Sequence, residues 1–115
     1  MKYILLAATL AGAALFTQIP GSAQIPWEKD RAREGQALYR ENCVVCHEVD
    51  KADSKKFGPS FYQLFKKEKM PLSNMKPNRQ YIAVRVKFGG KIMPAFQKKL
   101  NDAQINLLID YMELR

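Results

Sequence analysis

Cys43-Val44-Val45-Cys46-His47 is the stretch of sequence that decides the fold. It places two thiols and one imidazole in the spacing Cys-x-x-Cys-His. Positions three and four apart share one face of a helical turn, so the three side chains can point at a single flat object. These are also the only two cysteines and the only histidine of the 115-residue chain. The sequence therefore predicts one site, built around this turn.

The Cys-x-x-Cys-His spacing is the attachment signature of c-type haem. The two thiols can add across the two vinyl groups of haem, and the imidazole can take one axial position on the iron. We therefore predict one haem c, attached covalently through Cys43 and Cys46, with His47 as an iron ligand.

A Cys-x-x-Cys pair has three other common uses besides haem attachment. A closed zinc site needs four ligands, and two cysteines and one histidine do not supply them without carboxylates. A thioredoxin-like redox pair belongs between a strand and a helix, and no strand pattern of that kind precedes Cys43. A structural disulfide would leave the adjacent His47 unexplained. Haem attachment is the interpretation that uses all three side chains.

The first 23 residues have the pattern of a secretory signal peptide. Lys2 precedes the apolar run Ile4–Phe16, and Gly21-Ser22-Ala23 offers small residues for cleavage. The run is shorter than the roughly 20 apolar residues of a membrane-spanning helix. We expect cleavage after Ala23, a periplasmic location and no stable membrane insertion, with an uncleaved anchor as the alternative. One domain over residues 24–115 remains, of a size that gains from a covalently held cofactor.

The chain carries a formal net charge of +8, and about +7 without Lys2. Such an excess indicates something about partners rather than about the fold. Nucleic acid is an implausible partner for an exported haem domain. We expect redox partner proteins with acidic docking surfaces, and a monomer.

Hydrophobic periodicity and capping signals predict an all-α domain of about four helices joined by long loops. The first expected helix begins near Trp27 or Glu28 and ends near Asn42, and a short second helix begins at Pro59-Ser60. The third covers about Arg79–Phe88, and the last runs from about Asp102 to Leu114. Ser60 with Gln63 resembles a capping box, as does Asn101 with Gln104, and Asn78 is a good N-cap.

Residue chemistry alone does not identify the second axial ligand of the iron. A second histidine does not exist, so methionine, lysine, water or an open position remain. Met1 lies in the signal peptide and Met112 on the apolar face of the last helix, which leaves Met70, Met75 and Met93. Four further side chains could reach the carboxylates of haem, with core or surface roles equally open: Tyr62, Arg79, Tyr81 and Arg85.

The order of motifs resembles that of class I c-type cytochromes over most of residues 24–115. The chain shows Gly35 and Tyr39 ahead of the Cys-x-x-Cys-His run, then Gly58-Pro59, then Met93-Pro94 before a terminal helix. The resemblance implies a cytochrome c-like fold wrapped around one haem.

The resemblance also implies roles for individual residues. Met93 would be the sixth iron ligand, and the Pro59 carbonyl would accept a hydrogen bond from His47. Gly35 and Tyr39 would form the contact between the first and last helices, near Ile109 and Met112. A second Met-Pro pair, at Met70, is the less favoured source of the ligand.

His/Met ligation would close both axial positions, so the predicted function is single-electron transfer between redox proteins, as in a respiratory chain, and not enzyme catalysis. Two other functions remain open on the sequence: a tightly bound cytochrome subunit of a dehydrogenase or oxidase, and a haem-based sensor or gas-binding domain. A thiol oxidoreductase using Cys43 and Cys46 is a further alternative.

Overall fold

The computed structural model describes residues 26–115, and that range contains three α-helices, one short 3-10 turn and no strand. Helix α1 spans Pro26–Asn42, α2 spans Arg79–Phe88 and α3 spans Asp102–Glu113; the 3-10 turn covers Leu64–Lys66. The all-α prediction is confirmed. The predicted signal peptide over residues 1–23 lies outside the described residues.

The two long helices cross at Gly35 of α1. A Cβ atom at Gly35 would collide with the Leu107 carbonyl oxygen and lie 2.7 Å from the Cβ of Tyr111. Four residues later, the ring of Tyr39 packs 5.7 Å from that of Tyr111, centroid to centroid. Glycine therefore permits the predicted close approach of α1 and α3, with Leu107 and Tyr111 as the nearest neighbours of Gly35.

Side-chain caps at Asn78 and Asn101 set the starts of α2 and α3, as the sequence predicted. Asn78 accepts a hydrogen bond from the Tyr81 amide at 2.8 Å, and Gly89 ends α2 with a φ of 71°. Asn101 and Gln104 form a reciprocal capping box at the start of α3. These bonds satisfy backbone groups that a helix terminus leaves unpaired.

The predicted helix starting at Pro59-Ser60 is wrong. The Ser60 hydroxyl donates to the Lys51 carbonyl and accepts from the Tyr62 amide, so it ties two loops together instead of capping a helix. Gln63 has a φ of 49°, a left-handed conformation that a right-handed helix cannot contain. Only the 3-10 turn after Gln63 remains of this element.

An ion-pair network holds α1 and α2 against α3. The Asp110 carboxylate of α3 accepts hydrogen bonds from Arg31 of α1 and from Arg79 of α2. Arg79 also pairs with Glu113, 2.5 Å away. Beneath this network, Leu108 and Ile109 are completely buried in the core. No helix within residues 26–115 is long and apolar enough to cross a membrane.

Candidate functional site

The Cys-x-x-Cys-His run continues as a hydrogen-bonded turn directly after α1. The amides of Cys46 and His47 both donate to the Cys43 carbonyl, at 3.1 and 2.8 Å, and the Cys43 amide donates to the Tyr39 carbonyl at 2.8 Å. This backbone places the three motif side chains along the wall of one cavity. The shared face predicted from the spacing is therefore present.

The cavity has a volume of about 400 Å³ and mostly apolar walls. That volume falls within the roughly 300–1,000 Å³ of small-molecule and cofactor sites. Its lining side chains come from the motif turn, the Gly58-Pro59 loop, the loop around Met70, α2, the loop that follows α2, and α3. They include Cys43, Cys46, His47, Phe61, Met70, Ile82, Val86 and Met93.

The His47 ring is buried and held in one orientation. Its Nδ1 atom lies 2.7 Å from the Pro59 carbonyl oxygen, and the ring stacks on Phe61 with centroids 4.4 Å apart. Burial lowers the pKa of His47, with a smaller contribution from the positive charge of Lys56, and the Pro59 bond opposes both. The neutral imidazole then donates from Nδ1 and leaves the lone pair of Nε2 available.

Gly58 allows the loop to lie directly against the imidazole. A Cβ atom at Gly58 would collide with Cε1 of His47 and lie 2.6 Å from its Nδ1. The Gly58 amide donates to the Cys46 carbonyl at 2.6 Å, which ties the loop to the motif turn. The glycine therefore has a packing role at this position.

The two cysteines are not bonded to each other and lie in different environments. Cys43 is buried and Cys46 is exposed. Burial raises the pKa of Cys43 to about 11, so this thiol stays protonated at neutral pH. Within residues 26–115, no three His, Cys, Asp or Glu side chains come together as a metal site of their own.

Met93 reaches the cavity from a tight loop after α2. The Gly90 amide donates to the Met93 carbonyl at 2.9 Å, and a Cβ atom at Gly89 would lie 2.5 Å from that carbonyl oxygen. The Phe96 amide then donates to the Val86 carbonyl and fastens the chain back onto α2. The two glycines thus let the loop fold back with Met93 on the cavity wall.

Of the other candidate methionines, the structure brings Met70 to the cavity and leaves Met75 half exposed, 49% accessible. Met70 is buried, and its amide donates to the Met75 carbonyl at 2.9 Å. Met70 and Met93 therefore line the cavity with His47, as does Met112 of α3.

Two of the four polar side chains considered for haem carboxylates also line the cavity. Tyr81 and Arg85 lie one turn apart on α2, and the Arg85 guanidinium donates to the Tyr81 hydroxyl at 2.9 Å. Arg79 is instead engaged by Asp110 and Glu113.

Lys56 is the residue near the site that sequence reasoning missed. Its ammonium group lies 2.7 Å from the Val44 carbonyl oxygen, within the motif turn. Nothing in the sequence distinguishes Lys56 from Lys51 and Lys55 in the same loop, so a contact of this kind was invisible to pattern analysis.

A helical domain whose Cys-x-x-Cys-His turn lines an apolar cavity defines the class of c-type cytochromes. A family model described as cytochrome c oxidase, cbb3-type, subunit III matches residues 30–112, and the chain belongs to this family. It is a small monohaem c-type cytochrome that binds haem c covalently and works in electron transfer. No solved structure matches the chain significantly.

The residues present fit a covalently bound haem. The cavity is apolar and of cofactor size, both thiols belong to its lining, and the Pro59 bond leaves one nitrogen of His47 available for iron. The chemistry of this donor set is that of a thioether-attached, histidine-ligated haem.

Proposed function

We propose that this chain carries single electrons between redox proteins through a six-coordinate iron held by His47 and Met93. The observation that carries the proposal is that Cys43, Cys46, His47 and Met93 line a single cavity. Cys43 and Cys46 would form the two thioether bonds. When bound, haem supplies a one-electron Fe(III)/Fe(II) couple.

The side chains of this protein perform three tasks in that function. His47, oriented by the Pro59 carbonyl, supplies a neutral nitrogen ligand. Met93 supplies a thioether sulfur, which stabilises ferrous iron and raises the reduction potential. Together His47 and Met93 would hold the iron from the protein and would leave no ligand place for a substrate or gas. The apolar wall, with Phe61 stacked on His47, excludes water from the ligands.

The lysine excess supports an acidic redox partner. Lys91 is exposed and belongs to the lining of the cavity, so its charge lies at the opening. Positive charge at this opening would steer an acidic protein toward the site and favour fast, weak encounters of a monomeric carrier. Export to the periplasm, directed by the N-terminal pattern of residues 1–23, is part of the same proposal.

A second candidate function is that of a bound subunit of an oxidase. The description of the family names such a subunit. Three large apolar side chains at the cavity also remain highly accessible: Phe57 at 76%, Leu72 at 86% and Ile92 at 71%. Haem in this cavity would cover part of their surface, and a permanent partner would cover the rest, since exposed apolar clusters mark interaction sites.

A redox titration of the haem-loaded protein, followed by exposure of the ferrous form to carbon monoxide, tests the proposed carrier. We expect a reversible one-electron transition and no carbon monoxide adduct, because both axial positions are taken. Rapid formation of an adduct by the native ferrous protein would contradict six-coordination and favour a gas-binding domain.

Size-exclusion chromatography of detergent extracts from the native cells separates the two candidate functions. A free carrier elutes at the mass of the monomer. Elution of the haem together with a large terminal oxidase would instead establish the subunit role.

A further inference from the structure

The side chain of Lys56 folds back onto the Cys-x-x-Cys-His turn. Its Nζ atom lies 2.7 Å from the Val44 carbonyl oxygen and 3.3 Å from the His47 carbonyl oxygen. The Glu48 carboxylate is 3.6 Å away, and only 30% of the Lys56 side chain is accessible. The ammonium group of this loop lysine therefore binds backbone carbonyl groups of the motif turn.

These contacts satisfy the carbonyl groups at the end of a helical turn. Such carbonyls have no partner within the turn, and a cation is favourable beside them. The Tyr39 hydroxyl donates to the same His47 carbonyl at 2.8 Å from within the core. The backbone of His47 is therefore held from two sides, by Tyr39 and by Lys56.

The charge of Lys56 is also felt at the imidazole. The Lys56 ammonium group lies 3.3 Å from the carbonyl oxygen of the residue that carries the imidazole. A fixed positive charge at this place opposes added positive charge on a metal bound to the ring. Ferric iron carries one more positive charge than ferrous iron, so Lys56 disfavours the oxidised state.

Glu48 partly offsets this field. The Glu48 carboxylate accepts hydrogen bonds from the amides of Val49 and Asp50, at 3.0 and 3.3 Å, and lies 3.6 Å from the Lys56 ammonium group. Removal of the Lys56 charge would leave the Glu48 carboxylate without its cation. Both changes stabilise the oxidised state.

We propose that Lys56 is a positioning residue for His47 and that its fixed charge raises the reduction potential of the iron that His47 binds. This inference rests on the proposed function, because it requires His47 to be an iron ligand.

Equilibrium redox titration of haem-loaded Lys56→Gln, Lys56→Arg and Lys55→Gln tests the inference. Lys55 is the matched control, since it is adjacent, exposed and carries the same charge. We expect Lys56→Gln to lower the midpoint potential by more than Lys55→Gln, and Lys56→Arg to stay near the wild type. The difference should survive in 1 M salt, where exposed charges are screened over about 3 Å. Equal shifts for the two glutamine variants, or a difference that salt abolishes, would overturn the inference.

Glu48→Gln provides a second variant that leaves Lys56 in place. It should raise the midpoint potential. An unchanged or lower potential would contradict the proposal that fixed charges beside His47 set the potential, even if Lys56→Gln failed to attach haem. Electron paramagnetic resonance of the ferric wild-type protein distinguishes failure of the proposed function from failure of the Lys56 proposal. A spectrum without imidazole ligation refutes the proposed function, whereas normal ligation with no Lys56 effect refutes only this inference.

Discussion

The Nδ1 atom of His47 lies 2.7 Å from the carbonyl oxygen of Pro59, and Gly58 provides the space for this contact. The hydrogen bond fixes the tautomer and the orientation of the imidazole. It joins the motif turn to a loop more than ten residues further along the chain. The orientation of the imidazole therefore depends on a backbone carbonyl outside the Cys-x-x-Cys-His motif.

Gly58→Ala is expected to displace the imidazole, because the new methyl group would occupy the position of the ring edge. Overpacking of this kind costs about 1–3 kcal/mol in the free energy of unfolding. The ferric electron paramagnetic resonance spectrum should change along with the unfolding midpoint. Gly35→Ala is the control, since its methyl group would disturb the contact with Leu107 and Tyr111 and should leave the spectrum unchanged. Identical spectra for Gly58→Ala and the wild type would refute the contact.

Gly35→Ala is expected to destabilise the protein although alanine is the better helix former. The added methyl group would separate α1 from the Leu107 carbonyl, at a net cost of about 1–3 kcal/mol. Urea unfolding measures the loss. Glu34→Ala, on the exposed side of the same helix, should stay within about 0.5 kcal/mol of the wild type. A Gly35→Ala variant more stable than the wild type would show that the crossing is looser than described.

Asp110→Asn removes the negative charge that Arg31 and Arg79 share and replaces one of the two acceptor oxygens with an amide NH2 group. We expect a loss of about 1–2 kcal/mol, because a partly buried carboxylate serves two cations at once. Asp30→Asn breaks the exposed pair with Arg33 and should cost less than about 0.5 kcal/mol. Thermal unfolding of both variants compares the two pairs. Equal losses of unfolding free energy in the two variants would mean that the Asp110 network stabilises the protein no more than an ordinary surface ion pair does.

Positive charge at the cavity opening should make electron transfer depend on ionic strength. Reduction by an anionic complex should slow on the order of tenfold from low to high salt, whereas a neutral reductant should show little change. Lys91→Glu should lower the low-salt rate with the anionic complex more than Lys29→Glu on α1 does. Stopped-flow kinetics supplies these rates, and a flat salt response would contradict electrostatic steering.

Local signals in the sequence were sufficient wherever one short segment determines the structure. The caps Asn78 and Asn101 set the starts of α2 and α3, and the spacing of the motif predicted the shared face of Cys43 and His47. Each of these features depends on neighbours within a few residues, which is the range over which pattern analysis is informative.

Sequence reasoning failed where a side chain has a distant partner. Ser60 has the pattern of a helix cap, but its hydroxyl binds the Lys51 carbonyl. Lys56 looks like any surface lysine until the fold places its ammonium group on the carbonyls of Val44 and His47. Tertiary contacts decided both cases, and no local propensity reports them.

The assignment of Met93 as the sixth ligand is the central claim, and Met70 is its natural control because both methionines line the cavity. The ferric absorption spectrum tests it through the weak band at the red end that reports sulfur bound to iron. We expect this band in the wild type and in Met70→Ala, and its loss in Met93→Ala. Persistence of the band in Met93→Ala, with loss in Met70→Ala, would contradict the account.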